Sequence, residues 1–103
     1  MHALPALGRT LIADDFLRGV GEDYVAHTTP EPVPVRLDKV VRGVGHPAMT
    51  REPFTLLFST AWDVFLVEGT YRLRGPSLDA EIHLVPTQTR GQTARRHYHA
   101  VFN

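Results

Sequence analysis

The chain has 103 residues, 43% apolar and 21% charged, with eleven basic residues against eleven acidic ones. That length supports one domain around one core, and a net charge of zero lacks the cation surplus that a nucleic-acid binder or a polybasic membrane anchor needs. With no cysteine, disulfide scaffolds, thiol catalysis and cysteine zinc sites are excluded.

Residues 1–9 are predicted to be a flexible arm, with residues 10–103 forming a single β domain. The arm has no basic segment followed by an apolar stretch, and no run approaches membrane-span length. The default expectation is a cytoplasmic protein with no membrane partner, export by a signal-less route remaining open. Thr10 to Gly19 reads as one short helix. Asp14 and Asp15 sit where the dipole favours anions, Gly19 or Gly21 stops it, and Ile12, Phe16 and Val20 form an apolar stripe.

After Gly21 the apolar period falls to two. Tyr24 to Thr28 is a strand, and Thr29-Pro30-Glu31-Pro32 a turn. Val33, Val35 and Leu37 alternate with Arg36 and Asp38. Pro34 lacks a donor, so its strand should lie at an edge or be paired on one side only there. Residues 42–53 form a loop rich in Gly, Pro and charge. Phe54, Leu56 and Phe58 point inward from the next strand, and Ser59-Thr60-Ala61 looks like a turn. Trp62 to Val67 is a further apolar run, and Glu68-Gly69 a turn or bulge. Residues 70–74 and 78–84 make a hairpin around Gly75-Pro76-Ser77. Residues 86–94 are polar and predicted to be mobile, and the chain closes on a strand with Tyr98, Ala100 and Phe102 inward. The sum is mostly β: an antiparallel β-sandwich or small barrel of about six to seven strands with one short N-terminal helix.

The stretches Arg51-Glu52-Pro53-Phe54-Thr55-Leu56-Leu57-Phe58, Glu68-Gly69-Thr70-Tyr71-Arg72-Leu73, Ile82-His83-Leu84-Val85-Pro86 and Tyr98-His99-Ala100-Val101-Phe102-Asn103 resemble a family of short bacterial proteins of unknown function. Ala13-Asp14-Asp15-Phe16 followed by Val20-Gly21 resembles that family's opening. The resemblance covers roughly residues 10–103 and implies an association with phage-tail-like collar or fibre genes. Its motifs are apolar alternation and turn glycines, so it carries over no catalytic residue.

Chemistry is sparse. His97 and His99 leave one face of a strand, and His83 lies on an outward face of a strand that could neighbour it. Three imidazoles on one sheet face could bind Zn or Fe; the alternative is that they are solvent-facing polar residues. Ser59 and Ser77, the only serines, lie in no nucleophile motif. Gly43-Val44-Gly45 lacks the Lys-Ser/Thr of a phosphate loop. Residues 10–31 hold five acidic residues against Arg18, whereas residues 69–103 hold five arginines against Asp79 and Glu81. If those blocks lie at opposite ends the molecule is dipolar, which favours self-association or an acidic partner. Arg90, Arg95 and Arg96 would then form an interaction surface, with Trp62 as an interface anchor or a core residue. The expected function is a non-enzymatic binding or assembly module, an accessory of a phage-tail-like or surface fibre system. It would work with a protein partner or a second copy, without a cofactor and without nucleic acid. The alternative is a small metal-binding β-barrel enzyme or ligand-binding protein using His83, His97 and His99.

Overall fold

The structure, a computed structural model, describes residues 11–43, 52–76, 78–87 and 94–102. The elements in order are α1 (Asp14–Leu17), β1 (Asp23–Ala26), β2 (Val33–Arg42), β3 (Phe54–Ala61), β4 (Gly69–Arg74), β5 (Asp79–Pro86) and β6 (Arg95–Phe102). All strand pairs are antiparallel and close into a six-stranded barrel in the order β1-β2-β3-β6-β5-β4. Closure, rather than two facing sheets, decides between the two expected architectures. It also removes free sheet edges. No helix among the described residues is long and apolar enough to cross a membrane. The expected arm over 1–9 lies outside the described residues.

The registers define two ends. Arg42 faces Phe54, Phe54 faces Phe102 and Arg74 faces Asp79 at one end, which also receives α1. Ala26 faces Val33 and Ala61 faces Arg95 at the other, which also holds the connections 27–32 and 62–68 and the end of β5. These are the helix end and the loop end.

Strand periodicity sets the core. Val35, Leu37, Phe54, Leu56, Phe58, Leu73, Ala80, Ile82, Leu84, Tyr98 and Ala100 are all buried. The alternation in β2 changes phase because the pairing with β3 shifts between Leu37 and Lys39, a bulge at Asp38. Arg36 and Asp38 remain on one side of it and pair at 2.6 Å. Pro34 faces Val25 of β1, while pairing of β2 with β3 begins only at Arg36. Its missing donor therefore falls where the strand is paired on one side.

The helix is shorter than its pattern suggested, and its buried face differs. It has four residues; Ile12 and Val20 are 43% and 40% exposed, and Ala13 and Phe16 are the buried pair. A single turn cannot carry a stripe of three apolar residues spaced by four. The local hydrogen bonds explain the shortness. The Asp15 carboxylate accepts the Ile12 N–H at 2.8 Å, and the Gly19 N–H donates to the Phe16 carbonyl at 3.0 Å. Gly21 takes φ of 86° and turns the chain into β1. Phe16 closes the helix end. Its ring lies 5.9 Å from both Phe54 and Phe102, which stack on each other at 4.6 Å and 5°. Arg42 on β2 ties α1 to the barrel through Asp14, and it also pairs with Glu52 just before β3 at 2.9 Å. Hydrogen bonds to Asp14 and then Glu52 raise its pKa further.

Tyr24 is buried with its ring edge-on to Phe58, at 6.0 Å and 88°. Its hydroxyl has no hydrogen-bond partner among the described residues. Burial raises its pKa above 10.0. The fold therefore holds the phenol protonated, while the unfolded chain ionises it from about pH 10. This contribution is complete below pH 10 and is lost as pH rises beyond it. Tyr24→Phe is expected to leave stability at neutral pH unchanged or higher, because it removes an unsatisfied polar atom. It should also flatten the alkaline decline seen in urea unfolding from about pH 8 to 11. A loss above about 1 kcal/mol at neutral pH would mean the hydroxyl is satisfied after all.

The two charge blocks do not separate to opposite ends. Antiparallel strands carry each block across the barrel, so Glu22 and Asp23 lie toward the helix end and Glu31 at the loop end. Arg74 lies at the helix end, where it and Arg72 hold the buried Asp79 at 3.2 and 3.0 Å, while Arg95 and Arg96 lie at the loop end. Each block therefore reaches both ends of the barrel.

Candidate functional site

The loop end carries the most developed surface feature. β3 does not turn at Ser59: it continues to Ala61, with Ser59 facing His97 and Thr60 facing Arg96 on β6. Both hydroxyl residues are fully buried, and both are satisfied. Thr60 Oγ1 lies 2.8 Å from the Val64 carbonyl and 3.1 Å from Tyr98 Oη, and Arg95 Nε donates to Ser59 Oγ at 2.7 Å. Those partners let a strand run on through a turn-like sequence.

The apolar run that follows is a connection, not a strand. It is nonetheless tied down. The Val64 N–H donates to the Ala61 carbonyl at 3.0 Å. The buried Tyr98 hydroxyl accepts the Leu66 N–H at 3.1 Å, and Tyr71 Oη donates to the Val67 carbonyl at 2.6 Å. Burial first, then the neighbouring Tyr98, raises the pKa of Tyr71, so its hydroxyl remains a donor. Leu66 is 6% exposed and joins the core, whereas Trp62, Phe65 and Val67 are 49%, 57% and 63% exposed. One short connection thus closes the barrel with one side chain and presents three apolar ones to solvent.

Arg96 organises this surface. Its guanidinium lies 4.2 Å from the Trp62 ring and 5.3 Å from Phe65, within cation–π range. Arg96 Nε donates to the Trp62 carbonyl at 2.7 Å, which fixes the plane of the group. Trp62, Phe65 and Arg96 face Pro86, Thr87 and His97 around an open pocket of about 170 Å³.

The sequence-predicted residues are partly reunited here. Trp62 is exposed rather than core, and it meets Arg96. Arg95 is turned to Ser59, donating to both its hydroxyl and its carbonyl. Arg90 lies outside the described residues. The histidines are not drawn into one site. β5 and β6 do pair, at Val85–His99 and Pro86–Tyr98. However, His83 is engaged by Thr70 at 3.2 Å and Glu68 at 3.3 Å, while His97 lines the pocket. Among the described residues no group of three or more His, Asp or Glu is placed to hold a metal ion. Sequence reasoning missed Phe65, Tyr71 and the buried Thr60. The readable signal for the last was that apolar alternation in β3 ends on hydroxyl residues without Gly or Pro.

A family model described as Domain of unknown function (DUF6916) matches residues 11–102. The chain belongs to that family. The matched span takes in α1 and all six strands, so the whole barrel and both of its ends fall within the DUF6916 region. Neither a curated protein nor a solved structure matches the chain. The identity of this DUF6916 domain therefore brings no reaction with it, and function has to be argued from the site.

Proposed function

We propose that this domain is a non-enzymatic binding module that docks on a protein partner through its loop end. The observation that carries the reading is the exposure of Trp62 and Phe65 on a connection held by Tyr98 and Tyr71. Exposed aromatics on a fixed backbone lose little entropy on binding, and Trp and Arg are enriched among residues that dominate interface energetics. Zero net charge adds little long-range repulsion against a partner. Following the resemblance noted in the sequence, the partner we propose is a component of a phage-tail-like or surface fibre assembly.

The test uses the full chain as bait in extracts of the source cells, beside a Trp62→Ala/Phe65→Ala variant matched in thermal midpoint. A protein retained by the parent and lost on the variant is expected. Identical retention by both baits would overturn the reading, as would a parent that retains nothing and stays monomeric in light scattering.

A further inference from the structure

The pocket at the loop end sets a hydrogen-bonded cation beside exposed aromatic side chains. Arg96 Nε is committed to the Trp62 carbonyl, and the guanidinium carbon lies 4.2 Å from the centre of the indole. Among the described residues its terminal nitrogens have no acceptor, so the planar fork is left to the pocket. Such a fork matches a carboxylate through two parallel hydrogen bonds, which an ammonium cannot do. Trp62, Phe65 and Pro86 supply apolar wall. The pocket is open to solvent, and its volume of about 170 Å³ has room for one ring-sized group.

A ligand filling this site therefore needs one carboxylate and one ring-sized apolar group, with nothing bulky between them. In a protein, a single residue supplies both only at the chain's C-terminus, where the α-carboxylate and the side chain share one Cα. We infer that the Arg96 pocket binds the C-terminal residue of a partner protein, an aromatic or large aliphatic one, with its carboxylate on the Arg96 fork and its side chain against Trp62 and Phe65. This rests on the docking reading above and names the chemistry of the partner.

Trp62 is the only tryptophan in the chain, so its fluorescence reports this pocket alone. Four probes separate the requirements. N-acetyl-L-phenylalanine carries carboxylate and ring, its amide the ring alone, and N-acetylglycine the carboxylate alone. N-acetyl-aspartyl-phenylalaninamide places a side-chain carboxylate beside the ring. The expected result is saturable binding of N-acetyl-L-phenylalanine in the millimolar range, with the other three weaker by about tenfold or more. Arg96→Lys, checked for an unchanged thermal midpoint, should weaken the acid by about tenfold and by more than it weakens the amide. Binding should also weaken as salt is raised.

Equal affinity for the acid and the amide would overturn the inference while leaving the docking face intact. Tighter binding of the aspartyl probe would overturn the C-terminal source. No response to any probe would overturn the inference alone, because the bait comparison judges the docking reading separately.

Discussion

Phe16→Ala is expected to remove about 3–5 kcal/mol of stability, the range for deleting a buried phenylalanine ring. Phe16 is 1% exposed and is the only buried large side chain of α1. It touches the two rings, Phe54 and Phe102, that end β3 and β6. A helix of one turn has almost no stability of its own, so its place on the barrel depends on that ring and on the Arg42 ion pairs. Those pairs are largely exposed and contribute little. A domain of this size has about 5–15 kcal/mol in all, so the variant should approach its unfolding midpoint in mild urea. Leu17→Ala, on the same turn but 47% exposed, should change stability by no more than about 0.5 kcal/mol. Urea unfolding followed by circular dichroism checks both. A Phe16→Ala loss similar to that of Leu17→Ala would mean that α1 does not seal the barrel.

The second large effect comes from adding a single methyl group. A Cβ at Gly75 would lie 2.3, 2.5 and 2.6 Å from three ring carbons of Tyr24. The ring has little room to withdraw, because it is buried and packed against Phe58 at 6.0 Å. A Cβ at Gly19 would likewise lie 2.7 Å from its hydroxyl, so that backbone is already close. Gly75→Ala is therefore expected to cost about 3 kcal/mol, the upper part of the range for overpacking. The coupling can be measured directly. Tyr24→Leu destabilises on its own but vacates the space, so Gly75→Ala should cost far less in that background. Additive losses would contradict the contact, and would point instead to the backbone conformation of the β4–β5 turn.

Much of this fold was legible because strands of period two write their inward face into the sequence. Val33, Val35 and Leu37, the 70–74/78–84 hairpin, and Tyr98 with Ala100 all follow that rule, and Pro34 marks where β2 loses one neighbour. The helix is less legible because Ile12, Phe16 and Val20 fit a helical period as well as Ala13 and Phe16 do. Only the Asp15 to Ile12 hydrogen bond and the turn at Gly21 show that a single turn forms. Trp62 to Val67 was ambiguous for a different reason. A short apolar run has no period that separates a buried strand from a connection. Its course is set by Tyr98 and Tyr71, which lie far along the chain or in the next strand.

The site was legible only in pieces. Trp62 and Arg96 could each be singled out, but 34 residues separate them. They meet because Thr60 faces Arg96 in the β3–β6 register, and no local pattern encodes that register. The histidines show the converse. Spacing puts His97 and His99 on one face, yet His83 is drawn aside by Glu68 and Thr70 on β4 and the segment before it. The charge blocks reach both ends for a topological reason, since successive strands of this antiparallel barrel run in opposite directions and carry any contiguous segment from one end to the other.

The loop end is a fixed face rather than a slack connection. The most direct measurement is hydrogen exchange at the Leu66 amide by NMR. Its N–H donates to the buried Tyr98 hydroxyl, so it should exchange about as slowly as amides of the adjoining strands. In Tyr98→Phe it should exchange far faster, with β3 itself remaining protected. Exchange at Leu66 in the parent protein at the rate of an open loop would contradict the account.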